Sequence, residues 1–268
     1  MANKRVIGPI THHLKPAGPR HNVRVLDPDD SAEFAFTNLT GRPTGPVLRT
    51  LGMFLPGIAE VQKQVQPYAA AWQRSNREAL AGDHRRWIAL GDSMTQGIGA
   101  SSPEQGWVGQ LARRQSSPVD VVNLSQSGAR VEDVISSQLP VWRKLAPAPH
   151  GEILTVLIGS NDMLSPRNRQ LLPEAFTELL EQLPGGAIVS TVPAPAGPAQ
   201  AANALILAAD QAGDIRAVFS GNPDPTAWRG RLAADRFHPN DAGYTMIADV
   251  FADAVGHALG ALDERGGE

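Results

Sequence analysis

The sequence predicts an α/β fold, a parallel sheet layered between helices on both faces, and three observations carry that expectation. Short apolar runs recur at Trp87–Leu90, Val119–Leu124, Ile153–Ile158, Ala187–Val192 and Ile215–Phe219. The segments between them, near 104–115, 130–145, 170–183 and 200–211, read as helices, and so does 241–260 at the end. The runs lack strict alternation, the pattern of strands covered on both sides, and strand–helix–strand repetition builds a parallel sheet through crossovers.

Taken in order, the chain opens with about 45 residues rich in Pro, Gly, Asp and Thr, in which Val23–Leu26 and Glu33–Phe36 are the expected extended pieces of an arm. Ile58, Val61, Val65, Tyr68, Ala69 and Trp72 then recur at helical spacing, so 58–80 is expected to form one or two amphipathic helices. Such a face most often covers its own core, and packing on a second subunit is the lesser alternative. The expected organisation is an N-terminal extension over 1–85 and an α/β domain over 86–262.

Composition narrows the function classes. At 268 residues and 42% hydrophobic content, with 26 glycines and 22 prolines, the chain is long enough to bury a full core. A net charge of -3 without a basic stripe gives no footprint for nucleic acid or an anionic membrane surface. The absence of cysteine excludes disulfides, thiolate nucleophiles and cysteine-based metal sites. Lys4 and Arg5 are followed by no apolar stretch of signal-peptide length, and Val47–Ile58 is interrupted by Arg49, Gly52, Pro56 and Gly57. A cytoplasmic location without stable membrane insertion is expected, with the oligomeric state left open. The cluster His12, His13 and His21 has poor spacing for convergence on a metal, so no metal site is expected there.

Three distant segments carry chemistry: Gly91-Asp92-Ser93, Gly159-Ser160-Asn161-Asp162, and Asp235-Arg236-Phe237-His238. A serine that loses its proton during attack needs an adjacent imidazole, and the imidazole needs an acceptor to fix its tautomer. Of the seven histidines, His238 has both a carboxylate three positions earlier and a Pro-Asn pair closing its loop. A side-chain amide such as that of Asn161 suits donation to an oxyanion. Ser93 follows the first expected strand, Gly128 the second and Asn161 the third, so all three fall at strand carboxyl ends, where open α/β sheets place their ligands.

With Asn123-Leu124-Ser125-Gln126-Ser127-Gly128 and the closing Pro239-Asn240 added, the order and spacing of these blocks closely resemble the SGNH hydrolases, or GDSL esterases and lipases. The resemblance covers about 86–260 and departs from the eponymous GDSL at Met94, a volume-conserving change from leucine. It implies a three-layer flavodoxin-like fold. It also implies Ser93 as nucleophile, His238 as base, Asp235 as orienting carboxylate, and an oxyanion hole from the Ser93 and Gly128 N–H groups with the Asn161 amide. Asp92, Asp162 and Asn123 are expected to brace loops through backbone hydrogen bonds.

The resemblance implies a small-molecule acyl ester or thioester substrate, hydrolysed without metal or organic cofactor. The family acts on acetylated sugars, short esters, lysophospholipids and acyl thioesters, which these motifs do not separate, and a short-chain carboxylester is the default. An acyltransferase would use the same acyl-enzyme, with a hydroxyl acceptor replacing water. A non-catalytic SGNH-like binding module is a third reading, and the intact set of Ser93, Gly128, Asn161, Asp235 and His238 argues against it.

Overall fold

Five strands build the sheet: β1 (Arg85–Gly91), β2 (Val119–Asn123), β3 (Glu152–Leu157), β4 (Ala187–Ser190) and β5 (Ile215–Val218). The computed structural model describes residues 34, 36–42, 56–193, 197–219 and 225–266. Val23–Leu26, Glu33 and Ala35 of the Glu33–Phe36 piece, and His12, His13 and His21 lie outside the described residues. All strand pairs are parallel in the order β2-β1-β3-β4-β5, with Ile88 opposite both Val122 and Leu154. This is the expected α/β sheet, and its order reverses between β1 and β3.

The strands read as unbroken apolar runs because both faces are buried. From β1, Ile88 and Leu90 point into one core with Val122, Val156, Leu172, Phe176 and Ile206. Trp87 and Ala89 point into the other with Trp107, Ile188, Tyr244 and Phe251. The first face is covered by α7 (Pro166–Gln182) and α8 (Pro198–Ala212), the second by α4 (Trp107–Ala112) and α9 (Asp241–Gly266). Trp107 stacks on Phe251 with ring centroids 4.2 Å apart, and burial of each such ring contributes roughly 1.5–3 kcal/mol. By length and composition α9 could cross a bilayer, but Tyr244, Ile247, Ala248, Phe251, Val255 and Leu259 form a stripe buried on the sheet.

Among the described residues two helices precede β1, α1 (Pro56–Gln62) and α2 (Val65–Leu80). The apolar face of α2 packs on its own chain: Tyr68, Ala69, Trp72 and Ala79 are buried. Asn76 lies in the same stripe. Its amide Oδ1 accepts from the Asn123 N–H (2.7 Å) and its Nδ2 donates to the Asn123 carbonyl (2.8 Å), so one side chain satisfies both polar groups of an edge-strand residue.

Two helical expectations are corrected. Residues 104–115 split into a 3₁₀ turn (Pro103–Gln105) and α4, separated by Gly106. Residues 130–145 contain α5 (Val131–Asp133), a π-turn (Val134–Gln138) and α6 (Leu139–Trp142). Pro140 has no N–H to return to the preceding turn, which favours a widened turn there. The turn carries a buried amide: Gln138 Oε1 accepts from Gly91 N and its Nε2 donates to Gly91 O, both at 2.8 Å.

Candidate active site

Ser93 is placed by the abrupt end of β1. Asp92 leaves the strand extended and caps α3 (Ser93–Gln96), its Oδ1 accepting from Met94 N at 2.9 Å. Gly97 closes the same short helix in the left-handed region (φ 84°). Ser93 is therefore the first helical residue. Among the described residues neither its N–H nor that of Gly128 has a hydrogen-bond acceptor.

His238 comes from the other end of the chain. Its Nε2 lies 2.9 Å from Ser93 Oγ, and its Nδ1 lies 2.6 Å from Asp235 Oδ2. A carboxylate can only accept, so Nδ1 carries the proton and Nε2 presents its lone pair to the serine hydroxyl. Asp235 Oδ1 accepts from the Phe237 and His238 N–H groups, each at 3.0 Å. This turn requires Arg236 at φ 57°, the one non-glycine residue with positive φ among the described residues. Burial alone would raise the Asp235 pKa, but the His238 hydrogen bond and charge, with the two backbone donors, hold it below the usual range.

Asn161 follows β3 and sits between the other two loops. Its Nδ2 donates to Ala129 O at 2.9 Å and makes a longer contact, 3.3 Å, with Asp92 Oδ2. The amide thus lies beside both the residue before Ser93 and the residue after Gly128. Gly128 adopts φ 78° and is exposed. Asp92 also accepts from Ser160 Oγ at 2.5 Å. Burial pushes the Asp92 pKa up, an effect its hydrogen bonds oppose. Asp162 accepts from Val131 N at 3.2 Å, and burial, with the nearby Asp92 charge, raises its pKa to about 7. Asp92, Asp162 and Asn123 all brace loops through backbone N–H groups.

The structure brings Ser93, His238 and Asp235 into one hydrogen-bonded line and sets Asn161 and Gly128 beside it. Other serines in these blocks are engaged elsewhere: Ser125 Oγ with Asn123 Oδ1, and Ser127 Oγ with Gln96 Oε1. Of the other histidines described, His84 contacts Asp120 and His150 contacts Asp83, both half exposed. Among the described residues no His, Asp or Glu cluster could hold a metal. Gln138, Asn76, Gln96 and Gly99 support the site without having been singled out by sequence. Asn76 alone left a signal, an amide on an otherwise apolar helical face.

The parallel sheet, covered by helices on both faces and carrying the Ser93–His238–Asp235 line at its switch point, defines a three-layer α/β protein. The profile described as the GDSL-like Lipase/Acylhydrolase family matches residues 89–246, and the chain belongs to that family. A solved member of the lipolytic protein G-D-S-L family from Veillonella parvula is 20% identical, covering 63% of this chain and 97% of that one, with a TM-score of 0.51. The lipase/acylhydrolase from Enterococcus faecalis is 16% identical over 65% of this chain and 96% of its own, with a TM-score of 0.50. Both share the fold. No curated protein matches the chain.

Proposed function

We propose that the protein is a serine hydrolase that cleaves carboxylic esters or thioesters through an acyl-enzyme on Ser93. One observation carries the reading: Ser93 Oγ, His238 and Asp235 form a continuous relay, 2.9 Å and 2.6 Å long at its two contacts. His238 Nε2 takes the hydroxyl proton as Ser93 Oγ attacks the acyl carbonyl, and Asp235 stabilises the imidazolium. The oxyanion is received by the Ser93 and Gly128 N–H groups and by Asn161 Nδ2, whose long contact to Asp92 is the one a substrate oxygen would replace. His238 then protonates the leaving alcohol or thiol. Water, deprotonated by the same imidazole, attacks the acyl-serine and releases the acid.

The test combines labelling with a variant. An organophosphonate should modify the wild-type chain on the peptide containing Ser93, and Ser93→Ala should keep the fold but lose hydrolysis of p-nitrophenyl esters. Modification at Ser125, Ser127 or Ser160, or undiminished turnover by Ser93→Ala, would overturn the mechanism. Rates across a p-nitrophenyl series of rising chain length define the acyl group. Free acid compared with acyl transfer to an added alcohol separates hydrolase from acyltransferase.

A further inference from the structure

One described stretch of the N-terminal region, residues 36–42, lies along the loop that carries Gly128. Two side-chain amides are exchanged between the segments. Asn38, completely buried, donates through Nδ2 to the carbonyls of Asn123 and Ser125, both at 2.8 Å. Gln126 donates in return through Nε2 to the carbonyls of Thr37 and Leu39, both at 3.1 Å. Each amide uses both hydrogens on alternate carbonyls of the other segment, and Leu39 pairs with Ser127 in an isolated parallel bridge. Gln96, in the same short helix as Ser93, joins both, its Nε2 donating to Asn38 O (2.5 Å) and Ser125 O (3.0 Å).

At the end of this clamp, Thr40 Oγ1 donates to the Ser127 carbonyl at 3.2 Å. That carbonyl belongs to the same peptide group as the Gly128 N–H. A trans peptide is planar, so its C=O and N–H point in opposite directions. Fixing the Ser127 oxygen against Thr40 therefore turns the Gly128 N–H to the other side, where it has no acceptor among the described residues. A glycine at φ 78° is where a peptide flips at little steric cost, so the orientation needs an outside restraint. The neighbouring Ala129 is held by its own N–H to Gln126 O and by Asn161 on its carbonyl, which leaves the Ser127–Gly128 peptide as the one Thr40 controls.

We propose that Thr40 is a positioning residue for the oxyanion hole: it locks the Ser127–Gly128 peptide with the Gly128 N–H facing the acyl oxygen, and the Asn38–Gln126 exchange holds Thr40 in place. The N-terminal segment is then part of the catalytic apparatus. This rests on the acyl-enzyme reading above.

The experiment compares wild type, Thr40→Val and Thr40→Ser, with kcat expressed per organophosphonate-titrated site. Valine keeps the shape without the donor; serine restores it. Thr40→Val should lower kcat by roughly 5- to 100-fold with KM nearly unchanged, less than the loss of a whole oxyanion donor, and Thr40→Ser should recover most of it. In the phosphonylated protein the Gly128 amide resonance should shift in wild type and Thr40→Ser but not in Thr40→Val, because the phosphonyl oxygen occupies the oxyanion position. A Thr40→Val protein with wild-type kcat per labelled site, or a loss appearing only in KM, overturns the inference while Ser93→Ala remains inactive. Activity in Ser93→Ala would overturn the acyl-enzyme reading and this inference with it.

Discussion

Gly99 and His238 meet through the space a side chain would occupy. A Cβ built on Gly99 would lie 2.7 Å from His238 Cβ and 2.5 Å from the Pro239 carbonyl oxygen, and Gly99 itself sits at φ 99°. The backbone after the Ser93 helix is thus the surface on which the His238 backbone rests. Gly99→Ala should shift His238 from Ser93 as well as straining the chain. A kcat loss of 10-fold or more and a fall in Tm of several degrees are expected, since about 1 kcal/mol moves Tm by roughly 2–4 °C at this size. Gly185→Ala, where an added Cβ meets nothing within 4 Å, is the control. Equal effects on activity in the two variants would refute the contact's role.

Asn161→Ala should lower kcat by about 10²–10³-fold with little change in KM, as expected when one oxyanion donor is removed. A raised KM with kcat spared would assign the amide to ground-state binding. Steady-state kinetics on an activated ester decide between them.

Removing His238 and removing Asp235 should differ. His238→Ala leaves the Ser93 hydroxyl without a base and should approach Ser93→Ala in its effect. Asp235→Ala should retain measurably more activity, and the double variant should be no worse than His238→Ala alone. Strictly additive losses in this cycle would show that the pair, despite its 2.6 Å contact, does not act as a unit.

Asp162 and Asp235 should shape stability against pH in opposite senses. The folded pKa of Asp162 is raised to about 7, so the native state holds a proton that the unfolded chain releases near its ordinary value of 3.8. Stability from this group is therefore lost as pH rises through that window, and the penalty is complete above about pH 7. Asp162→Asn should gain Tm over wild type progressively from about pH 4 to about pH 7, then hold a constant gain. A Tm difference flat across this range would show that the carboxyl is already ionised when folded. Asp235, held below its ordinary value, stabilises the fold at neutral pH and gives that up as pH falls.

Legibility in the sequence followed the range of the interactions involved. The strands were readable because burial on both faces leaves a continuous apolar run, as in Trp87–Leu90. The Asp235–His238 turn was readable because its contacts are local. Gln138 was not: it reaches both backbone groups of Gly91 across 47 residues, and nothing in the helical pattern marks a glutamine as the brace of a strand end. Asn38 and Thr40 were equally silent, since their partners are backbone carbonyls, which every residue possesses. The π-turn escaped because Pro140 marks a disturbance without saying whether the helix ends or widens.

The Asp235–His238 turn also implies something about how such a site fails. The pair is closed by bonds within the six residues Ala233–His238, including Ala233 N to His238 O and Arg236 N to Ala233 O, so it forms a preassembled cartridge. Alignment with Ser93 depends on long-range junctions, the 2.9 Å reach across 145 residues to its Oγ and the seat against Gly99. On heating, activity would vanish when the cartridge unseats from Gly99, before the sheet melts. Inactivation by that route should reverse on cooling, which turnover recovered after a heat pulse below the Tm would check.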